Sequence, residues 1–233
     1  MKKNSIDAVD PEGLHQPGNR KQPQILFEDN HLLAAFKLPG QTVQPEPGKP
    51  ASLEEQIKTF IKLRDKKPGE VFLGVIHRLD MPVSGIVLFA KTSKALIRMN
   101  KLFHDHHVQK IYEAEVEHCP SKDKETITHW LKRNDKLKLT KAYIHETPDA
   151  DKAMLTYTVL RKTKTGCLLR IELHTGRKHQ IRAQLSAIGC PIKGDVKYKA
   201  SHPNPDRSIS LCAVELSFLH PVKQDPVVIR TSL

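Results

Sequence analysis

Two apolar runs, residues 71–76 and 86–90, stand on either side of an ionisable tetrad, His77-Arg78-Leu79-Asp80. Runs of this length, rich in β-branched residues, predict buried strands. Pro82 and Gly85 between them predict a turn of the backbone. The chain must therefore hold a carboxylate, with a guanidinium two residues before it, on a turn at the rim of a core sheet. A carboxylate placed there is costly unless something pairs with it. For an Arg-x-Asp met in isolation, the plainest reading is structural: an ion pair between Arg78 and Asp80, or a turn capped by Asp80.

The rest of the chain supplies the sheet and its cover. Residues 25–27 and 31–37, joined by the turn residues Asp29-Asn30, predict a hairpin. Ser52 and Glu55 have capping-box spacing, and Leu53, Ile57, Phe60 and Ile61 follow at helical intervals up to about Arg64. Thr92 or Ser93 caps a second predicted helix, with Leu96, Met99, Leu102 and Phe103 on its apolar face. Residues 110–117 alternate with period two, with Tyr112, Ala114 and Val116 on one face. Residues 126–131 and 137–144 carry weaker strand signals and predict an antiparallel excursion within residues 120–153. Residues 155–159 and 167–173 predict a further hairpin. From about Lys178 a helix is expected, with Ile181, Leu185 and Ile188 on one stripe and Gly189 and Pro191 ending it. Strands at 209–218 and 227–229 close the chain. Strands outnumber helices and recur as hairpins, so the expected class is α+β: one domain over residues 25–233, a mostly antiparallel mixed β-sheet flanked by helices. Residues 1–24, polar and carrying Pro and Gly, are expected to form a flexible tail.

A formal charge of +12 over 233 residues points to a polyanionic partner. No apolar stretch reaches the roughly eighteen residues a membrane span needs, and the N-terminus lacks the apolar core of a signal peptide. Cys119, Cys167, Cys190 and Cys212 form no C-x-x-C pair, which argues against a zinc knuckle or a disulfide framework and predicts a reduced, cytoplasmic protein. His104, His106 and His107 with Asp105 superficially resemble a metal cluster but lack a Cys or carboxylate framework, so no metal is expected. A single domain without coiled-coil heptads predicts a monomer.

Three features converge as candidate chemistry. They are Arg78 with Asp80, Tyr112 on the inward face of its strand, and the basic segment 174–182. In that segment Gly176 permits close approach of a phosphate, and free N–H groups at a helix start favour anions. Lys178 and Arg182, one helical turn apart, can face the same way.

These features occur in the motifs HRLDMPVSGIVLFAKT, QKIYEAEV, LHTGRKHQIRAQLSAIGCPIKGD and LCAVELSFLHP. Together with ILFEDNHLLAAFKLPGQTVQP, they resemble the RNA pseudouridine synthases of the RluA-type branch, over residues 25–221. The resemblance implies the pseudouridine synthase fold. It implies that Asp80 is the catalytic nucleophile, that Tyr112 stacks on the target base and takes part in removing the carbon-5 proton, and that Arg182 pairs with Asp80. It implies that Arg78 enters the RNA stack when the uridine leaves it. His77, Lys110, Arg177, Lys178 and His179 would complete the RNA-facing set. Two departures from the family pattern stand out: Lys37-Leu38-Pro39 where a Lys-Pro pair is usual, and Cys212 where a histidine is common.

The implied chemistry suits these residue types. Uridine is joined to ribose through nitrogen 1 and must be rejoined through carbon 5. A carboxylate can attack the anomeric carbon, or assist elimination to a glycal, while the uracil turns. No cofactor, metal or redox step is needed. The expected partner is ribosomal or transfer RNA. An alternative is a non-catalytic RNA-binding or ribosome-assembly protein on the same fold. A third reading, a glycoside hydrolase using Asp80 and Asp195, fits a strongly basic chain less well.

Overall fold

In the computed structural model, which describes residues 22–232, the opening hairpin forms from β1 (Gln24–Glu28) and β2 (Leu32–Lys37). Asp29 closes it as a turn residue should: its Oδ1 accepts the N–H groups of His31 and Leu32 at 2.8 Å each. Helix α1 (Leu53–Arg64) starts with the expected capping box between Ser52 and Glu55. After β3 (Gly74–Val75) and β4 (Ser84–Ala90) comes α2 (Ser93–His104), capped by the Thr92 side chain. The remaining elements are β5 (Gln109–Val116), β6 (Lys124–Asn134), β7 (Leu139–Tyr143), β8 (Asp151–Thr163), β9 (Gly166–Leu173), α3 (Gln180–Ala187), β10 (Leu211–Leu219) and β11 (Pro226–Arg230). All eleven strands join one sheet, in the order β1-β2-β4-β10-β5-β9-β8-β6-β7, with β11 on β10 and β3 on β4. Every pairing is antiparallel except β4 with β10, so the sheet is mixed as expected.

The continuous apolar runs of β2 and β4 follow from cover on both faces. Leu33, Ala35, Val87 and Phe89 point to one side, against Leu53, Ile57 and Ile61 of α1. Leu32, Ala34, Ile86, Leu88 and Ala90 point to the other, against Ala95 and Met99 of α2. A third cluster lies where α3 sets Ile181 and Leu185 against Ala114, Leu155, Leu169 and Ile171.

Several expectations are corrected. The run at 71–76 pairs only through Gly74 and Val75, opposite Ala90 and Phe89. One edge of β4 is occupied by β2, and the start of the other by β10, so only its far end is open to β3. Of the tail expected over 1–24, Gln24 already lies in β1, and residues 1–21 fall outside the described residues. The expected single stripe on α3 is instead an all-round burial from Gln180 to Ser186, because β6 and β7 cover the side away from the main core. Cys119 and Cys167, expected as separate thiols, form a disulfide with Cα atoms 5.3 Å apart. Pairing of β5 with β9 puts Val116 opposite Cys167 and so closes a gap of 48 residues that spacing alone could not reveal.

Gly85 is required where β4 meets β10. Its φ is +119°, and a Cβ there would overlap the backbone of Ala213. Gly85→Ala is expected to cost at least ~2 kcal/mol, read as a lower urea midpoint at unchanged slope. An unaltered midpoint would show that the junction can yield.

Candidate active site

Asp80 sits at the head of the turn between β3 and β4. The turn is closed by the Val83 N–H donating to the Asp80 carbonyl at 3.0 Å. Lys37, the last residue of β2, braces it from below. Its buried ammonium donates to the carbonyls of Leu38, Gln41 and Met81 at 2.9, 2.9 and 3.0 Å. Burial pushes Lys37 down to about 8, with the Asp80 charge opposing. Thus the lysine that departs from the usual Lys-Pro spacing joins the opening loop to the residue beside Asp80.

The partner of Asp80 is Arg182, whose Nη1 donates to Asp80 Oδ2 at 2.9 Å. The same guanidinium makes a two-pronged contact with Asp195, Nε to Oδ2 at 2.7 Å and Nη2 to Oδ1 at 2.8 Å. Its planar face lies 4.8 Å over the Tyr198 ring. Burial works against the Arg182 cation, but Asp195 and Asp80 more than offset it, and Arg182 is held above its ordinary value. Asp195 is 1% exposed at its side chain, Arg182 6% and Asp80 24%. The buried carboxylate anchors the cation; the half-buried one opens onto the cleft.

Tyr112 forms a wall of that cleft. It lies opposite Ala213 of β10, where the register slips before Glu215, a bulge of the kind that re-aims side chains beside sites. Burial and then the Asp80 charge raise its phenol above the ordinary value. Tyr112 is therefore a protonated aromatic face at neutral pH rather than a standing phenolate.

The cleft is lined by Arg78, Leu79, Asp80, Val83, Tyr112, Leu173, Arg177, His179, Gln180, Ile181, Arg182 and Leu211. Asp80, Tyr112 and Arg182 thus meet in one concavity, with Arg78, Arg177 and His179 at its walls. Arg78 is exposed and does not pair with Asp80; its Nη1 reaches Gln44 Oε1 at 3.3 Å. The remaining members of the expected RNA-facing set lie elsewhere. His77 is half-buried and turned away from the cleft: its Nε2 accepts the Leu88 N–H at 3.1 Å and its ring stacks on Phe103 at 5.0 Å. Burial, with Lys110 nearby, pushes His77 down to about 4. Lys110 is itself buried behind Gly176 and does not line the cleft. Lys178 is exposed and off the cleft. The helix begins only at Gln180, and His179 takes a left-handed φ of 55°, which breaks the one-turn relation expected between Lys178 and Arg182.

Three contributors escaped sequence reading. Gln180 pins the basic turn, accepting from Thr175 Oγ1 and Arg177 N–H and donating to the Met154 carbonyl. Tyr198 and Lys37 are the others. A lysine ending an otherwise apolar strand was the available signal for Lys37; nothing local marked Gln180 or Tyr198. Among the described residues no group of His, Cys, Asp or Glu is arranged to hold a metal ion. No described helix is long and apolar enough to cross a membrane.

The cleft thus sets an ion-paired carboxylate against an aromatic wall in a strongly basic chain. The family model of RNA pseudouridylate synthase matches residues 31–187, well over half the chain. The protein of Haemophilus influenzae named tRNA pseudouridine synthase C is 31% identical, over 90% of this chain and 92% of its own. The corresponding Vibrio cholerae protein is 28% identical, over 90% and 91%. Ribosomal large subunit pseudouridine synthase D of Zymomonas mobilis is 29% identical, over 94% of this chain and 71% of its own. The solved structure of human RNA pseudouridylate synthase domain containing 4 shares the fold at a TM-score of 0.74 and 22% identity, over 90% of this chain and 88% of its own. The chain belongs to the RNA pseudouridylate synthase family and is an isomerase acting on RNA. Within the family it is of the RluA type.

Two measurements test the electrostatics. Asp195→Ala leaves Arg182 buried with only Asp80 for a partner, and is expected to cost about 3–5 kcal/mol in urea unfolding. For His77, the unfolded chain binds a proton below its ordinary 6.5 that the folded chain refuses until about 4. Stability should therefore fall as pH drops through that window. His77→Asn should remove part of that fall; an identical pH profile in the variant would show the histidine is not a buried neutral group.

Proposed function

We propose that the protein converts specific uridines of structured ribosomal or transfer RNA to pseudouridine, with Asp80 as nucleophile and with the target base turned out of the stack. The observation that carries this reading is the Asp80 carboxylate, held by Arg182 at 2.9 Å beside Tyr112 in one cleft. The names of the relatives support the substrate classes: transfer RNA for two of them, the large ribosomal subunit for a third.

The steps follow from these groups. The N1–C1′ bond breaks and its electron pair leaves with the uracil. The Asp80 carboxylate either bonds C1′ directly or takes part in elimination to a glycal, and in both routes it must be ionised, which Arg182 favours. The freed uracil turns against the Tyr112 face and C5 bonds C1′, displacing the Asp80 carboxylate in the first route and with return of the C2′ proton in the second; C5 then gives up its proton to solvent and N1 takes one up. Atoms balance, since the product is an isomer of the substrate. Turning the base out costs a few kcal/mol of stacking. Exposed Arg78, whose side chain among the described residues hydrogen-bonds Gln44 alone, can fill the vacated position, and stacking on Tyr112 offsets part of the same cost.

Asp80→Asn is expected to lower tritium release from RNA labelled at uridine C5 by at least ~10⁴-fold, with RNA affinity retained. Undiminished release in the variant would remove Asp80 from the chemistry. Binding without release by the unaltered protein, across total ribosomal and transfer RNA, would favour an assembly protein on this fold.

A further inference from the structure

We propose that His179 is a positioning residue for Asp80: Tyr198 holds it in the tautomer that carries its proton on Nε2, and that N–H stands beside Arg182 on a single oxygen of the carboxylate. The inference rests on the reading of Asp80 as nucleophile.

The tautomer follows from counting donors around Tyr198. The phenol oxygen accepts the backbone N–H of Thr140 at 2.9 Å, and lies 2.8 Å from His179 Nδ1. The phenol has one proton of its own, and His179 Nδ1 at 2.8 Å is the acceptor it meets; the Thr140 side chain also neighbours the phenol and gives its own proton to the Lys178 carbonyl. The proton therefore points at Nδ1, which must be bare, and the neutral imidazole carries its hydrogen on Nε2. Burial first, then the Arg182, Lys197 and Lys178 charges, lower His179 to about 4 against the opposing Asp80, so the ring is neutral at pH 7.

Nε2 stands 3.6 Å from Asp80 Oδ2, the same atom that Arg182 Nη1 meets at 2.9 Å. At 3.6 Å the contact is too long for a full hydrogen bond. It orients a positive N–H dipole toward one oxygen rather than binding it. Among the described residues no donor reaches Oδ1. The two oxygens are thereby made unequal: Oδ2 is held and Oδ1 is left to meet the ribose. In the opposite tautomer a nitrogen lone pair would face the carboxylate and repel it.

The backbone supports the same reading. His179 sits at φ 55° and ψ 22°, in the left-handed region, immediately before α3. That conformation is sparsely populated for a residue with a Cβ and persists when surrounding contacts impose it. Here it turns the ring between Tyr198 and Asp80. Thr140, which fixes Tyr198, also donates its hydroxyl to the Lys178 carbonyl at 3.0 Å. The edge strand β7 thus holds both the backbone before the histidine and the phenol that sets its proton.

The test reads the tautomer and the rate separately. Nitrogen-15 NMR of the ring in the unaltered protein should show Nε2 protonated and Nδ1 bare; the reverse pattern overturns the proposal without any variant. In Tyr198→Phe the ring should become a mixture of tautomers, and single-turnover isomerisation should slow about tenfold to a hundredfold, as loss of a supporting partner commonly does, with RNA affinity unchanged. His179→Gln, which keeps an N–H near the same place, should recover part of the rate lost in His179→Ala. Equal losses in Gln and Ala, or losses seen only as weaker RNA binding, would make His179 an RNA contact or a packing residue instead. Should Asp80→Asn be inactive while Tyr198→Phe and His179→Ala keep full rate, the nucleophile reading stands and this inference fails. Activity in Asp80→Asn would remove the nucleophile reading and, with it, this one.

Discussion

One guanidinium shared by two carboxylates organises this molecule. Arg182 is buried, and a buried cation without partners is untenable. Asp195 meets its fork side on and Asp80 accepts one N–H from Nη1. The division is unequal: the buried carboxylate neutralises the cation, and the half-buried one keeps an anionic charge at the mouth of the cleft. That arrangement pairs the aspartate with a cation without locking both of its oxygens. Tyr198 contributes a ring face beneath the cation, where its electrons favour the charge.

The pair also draws distant parts of the sheet together. Asp80 comes from the turn between β3 and β4, Arg182 from α3, and Tyr112 from β5. Strand β10 is the common neighbour, parallel to β4 on one side and antiparallel to β5 on the other. Gly85 permits the close approach on the first side, and a bulge adjusts Tyr112 on the second. On the far flank, β6 to β8 extend the sheet and cover α3, and Thr140 hands two hydrogen bonds to the turn and loop around the site. The antiparallel excursion within residues 120–153 therefore supports α3 and the turn before it as well as adding surface.

Much of this was visible in the residues. Wherever a single strand or helix decides its own form, local pattern sufficed: the Asp29 turn, the Ser52–Glu55 capping box, the period-two alternation around Tyr112, and the hairpin closed near Gly166. It failed where a neighbour decides. The run 71–76 has the composition of a strand, but only two residues find an open edge. Lys178 and Arg182 have helical spacing, but the helix starts after His179. His77 stands next to Arg78 in the motif, yet the two side chains part: Arg78 stays exposed, and the His77 ring went to the Leu88 N–H and Phe103.

By itself the sequence determined the α+β class, the order of hairpins and helices, the basic charge, and the presence of an aspartate, a tyrosine and a basic segment as candidate chemistry. Those follow from short-range propensities and from side-chain type, which are properties of a segment alone. Only the tertiary structure decided that Asp195 shares the Arg182 cation with Asp80, that Cys119 bonds Cys167, and that Tyr198 meets the His179 ring. Each of these joins residues from separate elements, and such contacts exist only once strand order and register bring distant segments within a few ångströms.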